Sequence, residues 1–237
     1  MAGDALTDAD TNVAIGVSAL GADTKGNSSV AIGSSALRLQ NFTSSTDVYN
    51  VAIGRAAGEN VTTGVNNTLI GGLAGDALTD ADHNVAIGSE ALSTDTQGSK
   101  SVAVGREALR QQNFSSATDS HNTAVGYRAG LLVTTGLQNT FIGSRTGDAL
   151  TDADFNVAIG DQALTTDTKG SRTVAIGYGS LSTQNFSSAT NSNNTAVGYA
   201  SGAAITTAVE NVVIGANAGN ALTCLLYTSD AADDTCC

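Results

Sequence analysis

A five-residue block of the form [N/S/T]-[V/T]-x-[I/V]-G recurs twelve times along this 237-residue chain, and no other feature constrains its fold as strongly. Successive blocks begin 17, 21, 17 and 17 residues apart and the series then repeats, so a 72-residue unit occurs three times. Such fixed-period self-similarity predicts a solenoid, in which each coil buries its apolar face only against neighbouring coils. The blocks begin at Asn12, Ser29, Asn50, Asn67, Asn84, Ser101, Asn122, Asn139, Asn156, Thr173, Asn194 and Asn211.

Large side chains are too scarce for a conventional globular core. Aromatic residues make up 4% of the chain, Pro and Trp are absent, and Ala, Val, Ile and Thr are abundant. Gly interrupts the Ala-rich stretches every few residues and no 3.6-residue period is present, which argues against helices. The sequence therefore predicts an all-β parallel solenoid of about twelve coils over residues 1–223, with units at 12–83, 84–155 and 156–223.

Residue types at fixed places within the coils predict how each coil is built. Counting the first residue of a block as position 0, position 4 is always Gly, which predicts a positive φ or a close backbone approach. The residues at positions 1 and 3 are all β-branched and share one side of a strand, so we expect Val13 and Ile15 to face the interior and Ala14 the other side. Asn, Ser or Thr at position 0 and Thr at position 12 of the 17-residue coils predict polar ladders between coils.

Charge and composition argue against several classes of function. The formal net charge of −12 gives no attraction for phosphate backbones, so no nucleic-acid partner is expected. No apolar run of about 18 residues exists, so no membrane insertion by this segment is expected. His83 and His121 occupy different coil types, no Ser/His/Asp set stands out, and Lys and Arg are scattered. We therefore expect no enzyme, no metal and no cofactor.

The ends of the chain differ from its repeats. The chain opens inside a repeat, and the segment 224–237, CLLYTSDAADDTCC, matches nothing in the twelve coils. This segment resembles the translated read-through of a transposase-type sequencing adapter, so we expect a piece of a longer protein followed by a non-biological tail. Redox compartment cannot be inferred, because every cysteine lies in this tail: Cys224, Cys236 and Cys237.

The strings NVAIG, SSVAIG and SVAVG resemble the head repeats of YadA-like trimeric autotransporter adhesins, and the resemblance covers residues 3–223. It implies a left-handed parallel β-roll that assembles as a homotrimer outside the cell, on an adhesin anchored in the outer membrane. It also implies attachment to a host-surface protein or glycan receptor. Similar repeats occur in bacteriophage tail fibres, so a virion protein is the alternative. The coils here are longer than the family's typical coil, which predicts longer corner loops.

Two kinds of loop are candidate sites. The four extra residues of each 21-residue coil accompany one aromatic residue, and exposed rings on protruding loops would suit a partner protein or glycan. The alternative is that each ring folds back over its own coil and closes the core. The second kind contains Asp76, Asp80 and Asp82, with Asp95 from the next coil, and is either a Ca²⁺ loop or a solvated acidic edge. The three aromatic residues are Phe42, Phe114 and Phe186.

Two further patterns support weaker hypotheses. An ice-binding solenoid would need a flat array two threonines wide, but the pairs Thr62–Thr63 and Thr134–Thr135 occur only in third coils. The N-x-[S/T] strings, for example at Asn27, Asn41 and Asn60, are expected by chance in a chain this rich in Asn, Ser and Thr.

Overall fold

The computed structural model describes residues 1–222, which form short β-strands and no helix. The tail 224–237, with its predicted artefactual origin, lies outside the described residues, as does Thr223. The strands in chain order are β1 (Val13–Ile15), β2 (Gly26–Asn27), β3 (Val30–Ile32), β4 (Thr46–Asp47), β5 (Val51–Ile53), β6 (Thr68–Ile70), β7 (Val85–Ile87), β8 (Gly98–Ser99), β9 (Val102–Val104), β10 (Thr118–Asp119), β11 (Thr123–Val125), β12 (Thr140–Ile142), β13 (Val157–Ile159), β14 (Gly170–Ser171), β15 (Val174–Ile176), β16 (Thr190–Asn191), β17 (Thr195–Val197) and β18 (Val212–Ile214).

One three-residue strand from each coil enters a single twelve-stranded parallel sheet. Its order is β1-β3-β5-β6-β7-β9-β11-β12-β13-β15-β17-β18, so the neighbours are successive coils. Identical block positions pair throughout, as in Val13 with Val30 across a 17-residue step and Val30 with Val51 across a 21-residue step. The four extra residues are therefore accommodated outside this sheet. They accompany the two-residue pairs β2–β4, β8–β10 and β14–β16. The predicted parallel β-solenoid of about twelve coils is confirmed.

The expected facing of the strands is wrong. Val13 and Ile15 are 42% and 58% exposed, whereas the position-2 residues Ala31, Ala52 and Ala86 are fully buried. The reason lies at position 0, where the Asn12 side-chain amide donates to the Gly26 carbonyl of its own coil at 2.7 Å and so points inward. Because side chains alternate along a strand, position 2 also points inward and positions 1 and 3 point outward.

Inside the coils, the size of the side chain at position 2 is matched to the size of the side chain at position 8. First and second coils carry Ala at position 2 and a buried Leu at position 8, for example Leu20. Where position 2 holds a large residue, such as Leu69, position 8 of the same coil and of the coil before it is Gly. A Cβ on Gly58 or Gly75 would lie 2.7 Å from a Leu69 methyl carbon. Positions 7 and 8 lie in turns of the described coils.

Two structural requirements favour Gly at position 4, at the end of each strand. Gly88 has φ +135°, and a Cβ there would lie 2.6 Å from the backbone carbonyl of Gly105 in the next coil. The positive φ and close approach predicted for this column are both present.

The polar ladders also form, although the bonding differs from a simple stack of amides. Asn67 N donates to Asn50 Oδ1 at 2.9 Å, and the Asn67 amide donates to the Ala81 carbonyl of its own coil at 2.8 Å. In the position-12 column the hydroxyl donates to a backbone carbonyl of the next coil, as from Thr62 to Thr79 at 3.1 Å. Each side chain thus closes its own coil or ties it to the next.

Candidate functional site

The inserted loops do not present their aromatic rings to solvent. Phe42, Phe114 and Phe186 are only 8%, 6% and 5% exposed. The Phe114 ring packs on the preceding coil, where a Cβ on Gly98 would lie 2.8 Å from its Cδ2. Of the two alternatives for these loops, the structure shows the second: the rings fold back over the coils. Partner contact by the polar residues of these loops stays a prediction.

A buried polar clamp holds each loop, and the sequence analysis missed it. Asp95 Oδ1 accepts hydrogen bonds from Gly98 N at 3.0 Å and Phe114 N at 3.1 Å. Its Oδ2 accepts one from Gln112 Nε2 at 2.5 Å, and Gln112 Oε1 accepts one from Asn122 Nδ2 at 2.9 Å. Asp and Gln recur at position 11 of the first and second coils of every unit, which is a signal that comparison of the units could have found. The equivalent clamps are Asp23–Gln40–Asn50 and Asp167–Gln184–Asn194.

The outward side of the twelve-stranded sheet is apolar along its whole length. We define the outer Val/Ile face as the first and third residues of the twelve three-residue strands, of which twenty are Val or Ile and four are Thr. Its members are exposed or half-buried, and Ile53, Val125 and Ile142 remain at least a third exposed in the middle of the sheet. Nothing within the described residues covers this face.

A second surface lies at the corner after the block, where several coils of the second and third units carry arginine or tyrosine. In the second unit the Tyr127 ring lies between Arg106 and Arg128, whose guanidinium carbons are 5.9 and 5.1 Å from its centroid. Both arginines also pair with the buried Glu107 carboxylate, at 2.5 and 2.7 Å.

In the third unit the second and third coils each carry a tyrosine at this corner. Tyr178 and Tyr199 stack with centroids 5.4 Å apart and an interplanar angle of 10°, and the residues are 48% and 57% exposed. We call the residues at positions 5 and 6 the corner column. The sequence alone does not reveal this column, because its residues become neighbours only when the coils stack.

The acidic residues grouped in the sequence analysis have separate partners in the structure. Asp95 lies in the buried clamp, whereas Asp82 Oδ1 accepts from Val65 N at 2.8 Å and Asp80 accepts from the Thr79 hydroxyl at 3.1 Å. Burial, with smaller contributions from the nearby Glu59 and Glu90, raises the pKa of Asp76 from 3.8 to about 6. Within residues 1–222, no group of three or more His, Cys, Asp or Glu residues is arranged to hold a metal ion.

Other features of residues 1–222 offer little chemistry. His83 and His121 are exposed and lie just before their blocks, two coils apart, with Lys100 at the equivalent place between them. Lys100 pairs with Asp119 at 2.5 Å. No helix that could cross a membrane occurs in this part of the chain.

Comparison with protein-family models, with curated proteins and with solved structures gives no match for this chain.

Proposed function

We propose that this chain is a segment of an extracellular, fibrous attachment protein that assembles as a homotrimer. The observation that carries the proposal is the outer Val/Ile face, a continuous apolar surface on a rigid stack of coils. The likeness of the blocks to adhesin head repeats supports the same function. The proposed mechanism is mechanical: the trimeric rod holds many weak receptor contacts together, so that their affinities combine through effective concentration.

The size of the outer Val/Ile face supports association. Three residues of strand span about 10 Å, and eleven spacings between parallel strands span about 53 Å, giving about 500 Å² in projection. The largest apolar patch on a typical soluble monomer is about 300–600 Å² and is often an interaction site. A face at the upper end of this range, present on every copy, suits burial against the same face of two other copies.

The corner column supplies the residue types suited to a receptor. Tyr and Arg are enriched among the residues that dominate binding energy at protein interfaces. Tyr178, Tyr199 and Arg106 are exposed, and the ring stack and the Glu107 pairs hold them in place before any partner arrives. We propose this column, rather than Phe42, Phe114 and Phe186, as the surface that contacts a protein or glycan on the host.

The trimer is tested by sedimentation equilibrium of the purified chain. We expect three times the chain mass, and a reduced mass for the double variant I53D/I142D with unchanged far-UV circular dichroism, because both side chains point outward. The matched control S44D/S116D adds the same charges on exposed loop tips and should remain trimeric. A monomeric wild-type chain would remove the trimer from the proposal.

Attachment is tested by binding of the trimer to an array of cell-surface glycans and to immobilised extracellular-matrix proteins. We expect slow dissociation that accelerates in I53D/I142D, and weaker binding in Y178A/Y199A. Failure to bind any surface, together with thermal hysteresis of the purified rod, would favour an ice-binding solenoid instead. Adapter-free sequencing of the parent locus distinguishes a surface adhesin from a phage tail fibre, because the two differ in their flanking domains and genes.

A further inference from the structure

Each inserted loop carries the same three-residue string at its start, Asn-Phe-Thr or Asn-Phe-Ser. The string begins at Asn41, Asn113 and Asn185, at position 12 of the second coil of each unit. The 17-residue coils have Thr there. Such strings are acceptor sequences for N-linked sugars when they lie on an accessible surface, so the geometry around each asparagine decides their meaning.

In the side chain of each of these asparagines, only the oxygen, Oδ1, makes a hydrogen bond in the fold. Asn41 Oδ1 accepts a hydrogen bond from the Thr24 hydroxyl at 3.2 Å, and Asn113 Oδ1 accepts one from the Thr96 hydroxyl at 3.1 Å. In the third unit Asn185 Oδ1 accepts from Thr168 at 3.0 Å. The amide nitrogens of these three residues have no partner among residues 1–222, and all three residues are exposed. An amide nitrogen without a hydrogen-bond partner in the described coils therefore lies on an exposed residue at the same place in every unit.

The rest of the string is equally accessible. The hydroxyls two residues later, on Thr43, Ser115 and Ser187, are exposed and make no hydrogen bond within the described coils. The phenylalanine between them is buried, so it fixes the loop while leaving the residues on either side in solvent. The acceptor amide and its required hydroxyl thus lie on one surface of a well-anchored loop.

The other strings of this form differ in structure. Asn27 Nδ2 donates to the Ser45 hydroxyl at 3.1 Å, and Asn60 Nδ2 donates to the Asp76 carbonyl at 2.9 Å. The strings at Asn66 and Asn193 run directly into β6 and β17 of the central sheet, whose ladder fixes their backbone. These four strings have an engaged side-chain amide or run into the central sheet, whereas the three in the inserted loops lie outside that sheet and leave the side-chain amide nitrogen unengaged.

We propose that Asn41, Asn113 and Asn185 are glycosylation sites, modified by transfer of a sugar from a phosphate-activated donor. The amide nitrogen attacks the anomeric carbon, the C–N bond forms, the C–O bond to the phosphate breaks, and the amide loses one proton. The product keeps its carbonyl oxygen, so the hydrogen bonds from Thr24, Thr96 and Thr168 survive. Four coils separate successive sites, so the sugars would be about 19 Å apart along the inserted loops. The proposal does not depend on the attachment function.

The folded chain is incubated with an N-glycosyltransferase that reads N-x-[S/T] and uses nucleotide-activated glucose, with an acceptor peptide as a positive control. Intact mass and peptide mapping then locate the sugars. We expect up to three hexoses per chain, on Asn41, Asn113 and Asn185. N41Q/N113Q/N185Q should take up none, and the matched control N27Q/N60Q should still take up three.

A second set of variants shows whether a loss of modification comes from the loss of the acceptor string and not from misfolding. T43A/S115A/S187A leaves every asparagine and every described hydrogen bond in place, and it should lose modification with unchanged far-UV circular dichroism. Equal modification of the four other strings in the folded chain would show that the structure does not select the sites. A folded chain that stays unmodified while the control peptide is modified would also overturn the proposal.

Discussion

Swapping the carboxylate and the amide between Asp95 and Gln112 tests whether the matched donors and acceptors of this buried clamp hold the inserted loop. Asp95 is fully buried and its carboxylate accepts three hydrogen bonds, including one from Gln112 Nε2 at 2.5 Å. D95N keeps an oxygen for Gly98 N and Phe114 N but turns an NH₂ group towards the Gln112 NH₂ group. Q112E has the opposite defect, because it places two carboxylates against each other. Each single variant should therefore destabilise the surrounding coils.

The magnitude follows from the bonds that are lost. A hydrogen bond to a charged group contributes about 1.5–3 kcal/mol, and a buried donor left unpaired costs about 1–3 kcal/mol. D95N also removes the desolvation cost of a buried charge, which offsets part of the loss. We expect D95N to lower the free energy of unfolding by about 2–4 kcal/mol.

The double variant D95N/Q112E should recover most of this loss. The amide introduced by D95N would donate to one oxygen of the carboxylate introduced by Q112E, and Asn122 Nδ2 would donate to the other oxygen. The Ser101 hydroxyl, which accepts a hydrogen bond from Gln112 Nε2 at 2.9 Å in the wild-type chain, would rotate to donate to the same carboxylate. The coupling energy between the two sites should be favourable and at least about 2 kcal/mol, which is within the range seen for residues in one network.

The assay combines guanidinium unfolding with native-state hydrogen exchange, because solenoid coils interact chiefly with their neighbours and the effect should be local. Exchange of the Gly98 and Phe114 amides should accelerate in D95N and slow again in the double variant. D119N, at an exposed ion pair, serves as the control and should leave both amides unchanged. Additive destabilisation in the double variant would refute the proposed bonding.

Three further predictions concern single residues. G88A should destabilise the rod by about 3 kcal/mol or more in denaturant unfolding, through backbone strain and overlap with Gly105, whereas G72A, with open space around its Cβ, should be nearly neutral. F114A should cost about 3–5 kcal/mol in the same assay because it empties a buried site, whereas F155A, at a half-exposed ring, should cost far less. The pKa of Asp76 is raised to about 6 from the ordinary 3.8 by burial and by nearby carboxylates, so its stabilising contribution is present below pH 3.8 and is lost as the pH rises through 6. D76N should therefore melt higher than wild type at pH 7 and flatten the dependence of melting temperature on pH between about 4 and 6; an unchanged dependence would contradict this assignment.

Periodicity predicted the architecture of this chain but not which side of each strand is buried. The twelve blocks predicted the number of coils, the parallel pairing and the Gly column, because a repeat that stacks must place equivalent residues together. Strand alternation alone could not choose between Val13 with Ile15 and Ala14, since all are apolar. The inward amide of Asn12 decides it, and its carbonyl partner, Gly26, is fourteen residues away.

The candidate surfaces were harder to predict for a related reason. The Phe114 ring packs on Gly98 in the preceding coil, so whether it protrudes depends on a contact that spacing does not reveal. The Tyr178–Tyr199 stack likewise joins residues of two successive coils. To predict either contact, one must know which residues of successive coils lie above one another, and only the register of the stacked coils shows this.

The unshifted register across both coil lengths has a consequence for how such a chain can evolve. Because each unit ends in the register in which the next begins, recombination between the similar gene segments that encode the units can add or delete whole units without creating new packing problems. Each event would change the length of the rod by about 19 Å, the height of four coils. Under the proposed attachment function, the reach of the rod would then be inherited as a copy number, while substitutions in the corner column would alter receptor specificity unit by unit.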